Sequence, residues 1–373
     1  MIQLFKPDIQ DAEIAEVAAV LRSGWIGLGP KTAEFEREFA AFIGVPYAVG
    51  VNSATAALHL ALIVAGVGQG DEVIVPSLTF VSTVAAVLYV GATPVFADVQ
   101  PDTLCIDPQD IANKISSRTK AIIPVHYGGH PCDMDDIMAI ANERGITVIE
   151  DAAHACGAIY KGRPIGTLSP LTCFSFHAVK NLTTGEGGMI TLFNAEWDKR
   201  LRRLRWMGID KDTWKRTSEG EIYAWQYSIN ELGYKCHMND VAAAIGLVQL
   251  KRLPELNARR RRIVELYNEG LGDIPWIQIP IERGYVKSAW HIYAIRLSKR
   301  DEMIAHLKAH GIAPGVHYYP IHLHNYYERW RLPLPVTERE WRRLLSLPLH
   351  PGLTEADVAY VIDTIRAFDG ARV

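Results

Sequence analysis

Residues Phe174 to Met189 read FSFHAVKNLTTGEGGM. One lysine, Lys180, stands between an apolar stretch (Phe174, Phe176, Ala178, Val179) and a run of small residues (Thr183, Thr184, Gly185, Gly187, Gly188). A lysine that loses solvation here loses its proton readily, and the neutral amine can attack a carbonyl. The glycines let backbone come close to a flat ligand and expose N–H donors. The plainer reading is a surface lysine before a glycine turn. Gly188–Phe193 (GMITLF) reads as a strand, which puts the lysine on a turn facing a sheet.

A second stretch, VIEDAAHACG (Val148 to Gly157), weighs against the plainer reading. Val148 and Ile149 close an apolar run that reads as a buried strand, and Glu150 and Asp151 arrive where it should stop. In an open parallel sheet, ligands bind outside the carboxyl ends of strands. An acid there, with a lysine some thirty residues later, suits pyridoxal phosphate, whose pyridine nitrogen must stay protonated for the ring to draw electrons. Asp151 is the candidate partner of that nitrogen, and its alternative is a helix N-cap. His154 either meets the ring or is a structural histidine.

The surrounding pattern alternates. Strands are expected at 47–51, 71–76, 93–97, 120–125 and 147–150, and helices at 81–88, 106–115 and 134–144, with another opened by Ser53. Such alternation means right-handed βαβ units and a mostly parallel sheet, hence an α/β fold. Helices are also expected at 8–21, 32–43 and 195–207. Ser53, Ala54 and Thr55 open their helix where its dipole and free N–H groups favour a phosphate, though N-capping looks the same in sequence. Phe80 falls just past the 71–76 strand, poised to stack on a ring. Trp25, among glycines in SGWIGLGP, is a packing anchor or part of a site mouth.

Residues 209–234 show no clean period and read as a long loop. A helix from about 239 to 271, broken at Pro254, bridges a large cofactor-binding domain (1–250) and a smaller C-terminal α+β domain (251–373). The latter is expected to hold strands at 291–297 and 315–319 and helices at 300–310, 338–346 and 355–368. ARRRRI (258–263) reads as a solvated helix face. HYYPIHLHNYY (317–327) reads as a polar lip over the site, which makes His317 and Tyr318 substrate candidates with Trp25. The spacing of His322 and His324 suits some metal sites, but no acid or cysteine cluster joins them, and no metal is expected.

Composition narrows the class. In 373 residues, 49% are hydrophobic and 22% charged, and the net charge of −3 gives nucleic-acid binding no support. Five cysteines without a CxxC argue for reduced thiols in a cytoplasmic chain. No signal peptide or membrane span is expected. Asn181-Leu-Thr matches a glycosylation sequon, which has no meaning in such a chain.

Seven ordered motifs (SGWIGLGP, NSATAALHLAL, DEVIVPSLTF, IIPVHYGG, VIEDAAHACG, FSFHAVKNLTTGEGGM and GVHYYPIHL) give the chain, over nearly its full length, a resemblance to the DegT/StrS family of pyridoxal-phosphate-dependent sugar aminotransferases, a branch of the fold-type I aminotransferases. The resemblance implies that Lys180 forms the Schiff base with the cofactor and shuttles protons, that Asp151 pairs with the pyridine nitrogen, and that His154 approaches the ring. It puts Ser53, Ala54, Thr55 and Ser175 on the phosphate and Phe80 on the ring face. At the phosphate contact from the neighbouring subunit, usually Asn or Arg, it places His237, and it implies a homodimer with the site at the interface. The implied reaction moves an amino group from L-glutamate, leaving 2-oxoglutarate, to a nucleotide-linked keto sugar, at C4 as in 4-amino-sugar enzymes, with C3 as the alternative. Two rivals, a sugar dehydratase and a non-enzymatic regulator on the same fold, should lack Lys180 or Asp151.

Overall fold

A computed structural model describes residues 1–210 and 227–368. The chain begins with helices α1 (Asp11–Ser23) and α2 (Pro30–Ile43) and strand β1 (Tyr47–Val51). Then α3 (Ala54–Val64), β2 (Glu72–Pro76), α4 (Val81–Tyr89), β3 (Thr93–Ala97), α5 (Pro108–Lys114), β4 (Thr119–Ile122), α6 (Met134–Arg144) and β5 (Thr147–Asp151) alternate as the sequence predicts. Short strands β6 (Ile159–Tyr160) and β7 (Arg163–Pro164) precede β8 (Leu171–Ser175), β9 (Gly188–Leu192) and α7 (Ala195–Leu204).

Seven of these strands form one sheet in the order β1-β9-β8-β5-β4-β2-β3. β9 runs antiparallel to both β1 and β8, and the pairs from β8 to β3 are parallel. Strands β2, β8 and β9 are buried at every residue, as a sheet covered by helices on both faces requires. On one face, Phe35 and Phe39 of α2 close on Phe174 and Phe176 with ring centroids 5.2–5.4 Å apart. Edge-to-face and tilted rings of this kind add roughly 0.5–1.5 kcal/mol per pair to their burial. α3 and α4 contribute to the apolar core on the other face.

Helix α8 (Asp240–Leu271) starts at Asn239, whose side chain accepts from Ala242 N, and runs unbroken through Pro254. The break expected at Pro254 is absent. Asp240 also accepts from Lys31 N, Thr32 N and Thr32 Oγ1, so it caps α2 across the fold. Arg260, read as part of a solvated face, turns inward and is buried, whereas Arg261 pairs with Glu282.

β10 (Val286–Lys287) joins β6 and β7, and β11 (Tyr293–Arg296) pairs with β12 (Leu344–Leu347). α9 (Arg300–Ala309), α10 (Pro335–Trp341) and α11 (Glu355–Arg366) complete the chain, and a separate apolar cluster between 263 and 365 fills this region. Two expectations fail here. The 338–346 helix stops at Trp341, and Leu344–Leu347 becomes a strand because its apolar run pairs with β11. The strand expected at 315–319 is reduced to one bridge, Gly315 to Ser346. Most of the loop expected at 209–234 lies outside the described residues.

Candidate active site

Asp151 is the last residue of β5, and backbone pairing continues to its end: Asp151 N donates to Pro124 O at 2.9 Å and His126 N to Asp151 O at 3.2 Å. The carboxylate therefore leaves the sheet at the carboxyl end of a central strand. Thr83 Oγ1 donates to its Oδ2 at 2.8 Å, and Ala153 N to its Oδ1 at 3.1 Å. Burial raises its pKa despite these donors and the nearby Lys180.

Lys180 lies in the turn between β8 and β9. Phe176 N bonds to Gly187 O and Thr184 N to Phe176 O, both at 2.9 Å, which closes that turn. Its amine is deep enough for desolvation to draw the pKa down to about 8, against a smaller opposing pull from Asp151. Nζ lies 3.3 Å from His291 Nε2.

Both residues line one cavity of about 370 Å³, the scale of a small-molecule site. Ser53, Ala54, Thr55, Phe80, His154, Ser175, His317 and Tyr318 also line it. Ser53 caps α3 by accepting from Ala56 N at 3.1 Å, so capping and a free helix N-terminus facing the cavity occur together. Thr55 Oγ1 bonds to Ser82 Oγ at 2.7 Å, and Ser175 Oγ accepts from His177 N at 3.4 Å. His154 Nε2 is 3.0 Å from Tyr318 Oη, whereas its buried Nδ1 has no partner. Burial pushes His154 well below the ordinary histidine range and His317 down to about 4. Phe80, at the rim, is 57% exposed, which leaves its ring open to contact.

Two candidates stand apart from the lining. Trp25 Nε1 donates to Leu28 O at 3.1 Å, which is the packing-anchor alternative. His237 packs edge-on against Trp206, centroids 4.3 Å apart, and burial draws its pKa down to about 4. His322, one of the metal-spaced pair, is buried and bonded to Ser77 Oγ at 2.6 Å.

Sequence reading missed His291, Phe5, Thr83 and Asn181. His291 is buried, with Phe5 stacked on its ring at 5.2 Å and 7°. The one available signal was Asn181, set aside as a sequon; it is buried directly after the lysine. Behind the site, His126 Nε2 meets Glu150 Oε2 at 2.8 Å, and Ser169 and Thr172 donate to Glu150 Oε1 at 2.7 and 2.9 Å.

These residues fit pyridoxal phosphate. An amine and a buried carboxylate share one cavity, a helix N-terminus that lines it presents the kind of N–H donors a phosphate takes, and His154 Nδ1 is an orphaned polar atom in the wall. Gly188 packs its Cα so closely on the Ser53–Ala54 peptide that any Cβ would lie 2.6 Å from Ser53 C, which brings the lysine turn and the α3 N-terminus together.

Fold and cavity together define the class of fold-type I aminotransferases. The chain belongs to the DegT/DnrJ/EryC1/StrS aminotransferase family, whose pattern matches residues 7–366. It is 44% identical over 371 residues (96% of this chain, 95% of the relative) to the spore coat polysaccharide biosynthesis protein SpsC of Bacillus subtilis. Among solved structures, the putative sugar aminotransferase Spr1654 from Streptococcus pneumoniae in its PLP-form is 38% identical, with a TM-score of 0.90 over 97% of this chain and 96% of that one. The aminotransferase TlmJ from Streptoalloteichus hindustanus is 39% identical, with a TM-score of 0.92 over 98% of both chains.

Proposed function

We propose that the chain moves an amino group from L-glutamate to a keto sugar carried on a nucleotide, at C4 of the sugar. The observation that carries this reading is the cavity that Lys180 and Asp151 share in a chain of this aminotransferase family. Bound pyridoxal phosphate supplies an electron sink for negative charge at the substrate carbon. Asp151, destabilised by burial as an anion, finds a partner in a protonated ring nitrogen, while Thr83 and Ala153 aim its oxygens. Lys180 would move the proton between the substrate carbon and the cofactor's C4′ carbon on the same face, and a pKa of about 8 lets it accept and give up that proton near neutrality. Ser53, Ala54, Thr55 and Ser175 hold the phosphate; His154 and Phe80 flank the ring; His317 and Tyr318 form the lip toward the sugar.

Glutamate leaves as 2-oxoglutarate in the first half of the cycle, and the amino sugar leaves in the second. We infer a cytoplasmic homodimer with the cavity at the subunit interface, as membership of this family implies. His237, whose pKa desolvation draws down to about 4 in the single chain, supplies the contact to the partner's phosphate, and the phosphate charge would raise that pKa on binding. The relative named for spore coat polysaccharide biosynthesis supports a cell-surface polysaccharide as the destination of the product.

The test is incubation with L-glutamate and a panel of UDP-, GDP- and dTDP-linked keto sugars, with product structure read by NMR. A 4-amino sugar nucleotide is expected. A 3-amino product would move the reaction to C3, and absence of transfer to every nucleotide sugar would end the reading.

A further inference from the structure

Asn181 spends its side chain inward. Its Nδ2 donates to Ala289 O at 2.7 Å and to Asn257 Oδ1 at 2.8 Å. A peptide carbonyl only accepts, so the amide can face only one way. Asn257 is fixed in turn, because its Nδ2 donates to Cys156 O at 3.0 Å. The remaining Asn181 oxygen, Oδ1, faces His291 Nδ1 at 3.2 Å. An amide oxygen requires a donor, so Nδ1 carries the imidazole proton. Nε2 is then a bare lone pair, and Nε2 is the atom that meets Lys180 Nζ at 3.3 Å. Phe5, parallel to the imidazole, holds the ring plane.

The consequence concerns the electron pair of the nucleophile. A neutral amine has two N–H donors and one lone pair. Against a bare Nε2 it donates an N–H and keeps its own pair free. Against the opposite tautomer it would accept from Nε2–H, and that pair would be occupied. We propose that Asn181 and Asn257 lock His291 in its Nδ1–H tautomer, making His291 a positioning residue that grips one N–H of Lys180 and leaves the amine lone pair free for a carbonyl. This rests on the reading of Lys180 as the residue that bonds the cofactor aldehyde. In that step Nζ joins the carbonyl carbon, the aldehyde oxygen leaves as water, and the amine gives up both protons.

Two measurements on the full chain test it. Nitrogen-15 NMR of histidine-labelled protein is expected to show His291 protonated at Nδ1 and bare at Nε2. The rate at which Lys180 combines with added pyridoxal phosphate, located by borohydride fixation and peptide mapping, is expected to fall about tenfold in Asn181→Leu, the scale of one lost hydrogen bond. In Asn181→Leu the nitrogen-15 spectrum of His291 is expected to show the proton shifted toward Nε2, where it occupies the amine lone pair; a purely structural Asn181 would slow the reaction and leave the proton on Nδ1. A wild-type His291 protonated at Nε2 overturns the proposal without any variant, as does a folded Asn181→Leu chain that reacts at the wild-type rate. Fixation on a different lysine in the wild type overturns the underlying reading of Lys180 itself, and that result is separate from the tautomer.

Discussion

Gly188 and Ser53 touch through their backbones: a Cβ on Gly188 would lie 2.6 Å from Ser53 C, 2.7 Å from Ser53 O and 2.8 Å from Ala54 N. All three are backbone atoms of the peptide that opens α3, which cannot swing aside as the end of a side chain could. Gly188→Ala should cost about 1–3 kcal/mol by overpacking and displace the helix N-terminus that faces the cavity. Thermal unfolding and cofactor titration should both shift. A variant with wild-type Tm and cofactor affinity would show that this contact does not set the phosphate site.

Lys180 gives a pH dependence whose sign is fixed. Asp151, His154, His291 and His317 share its cavity, and the three histidines are all pushed below the ordinary histidine range. Its amine is a free nucleophile above about pH 8 and an ammonium below it. Competitive acylation mapped to Lys180 should therefore rise with a midpoint near 8, where an exposed lysine would give about 10.4. Between these values the folded chain binds fewer protons than the unfolded one, so this group adds stability as pH rises. Lys180→Met should abolish that rise and be more stable than the parent below about pH 8. A midpoint near 10 would contradict the burial of the amine.

Thr83 is the one side chain that donates to Asp151 among the described residues. Thr83→Val keeps shape but leaves Oδ2 without that donor, raising the carboxyl pKa further and weakening its hold on a protonated ring nitrogen. Cofactor affinity should fall about tenfold, the scale of a hydrogen bond to a charged group, and Thr83→Ser should restore it. Equal loss in the Ser and Val variants would assign Thr83 a packing role only.

His126 and Glu150 hold the strand that carries Asp151. Cys132 N donates to His126 Nδ1 at 3.0 Å, so the imidazole proton is on Nε2, directed at Glu150. His126→Leu strands the Cys132 N–H and removes a donor from a buried carboxylate. It should cost about 2–4 kcal/mol in denaturant unfolding, the scale of a lost hydrogen bond to a charged group together with a stranded buried N–H. A loss well below 1 kcal/mol would mean that other donors fully satisfy Glu150.

The alternating strands and helices up to Asp151 were legible because each carries its own period or apolar run. Lys180, Asp151 and the Ser53 helix start were legible because local chemistry marks them: a lone lysine before glycines, acids at a strand end, a hydroxyl opening a helix. His291 was not legible. Its role depends on a 111-residue separation from Lys180 that only the fold closes. Leu344–Leu347 misled because an apolar run after a helix becomes a strand only when a partner, here β11, is known. Pro254 misled because helix α8 is held by packing along its whole length, and the buried side chains from Ala242 to Leu271 outweigh one missing N–H.

The central claim is that Lys180 is the amine that bonds the cofactor aldehyde. Borohydride reduction of the protein saturated with pyridoxal phosphate, followed by peptide mapping, tests it most directly. The label is expected on the peptide containing Lys180, with Lys180→Ala unlabelled and unable to transfer amino groups from glutamate. Label on any other lysine, or sustained transfer by Lys180→Ala, would contradict it.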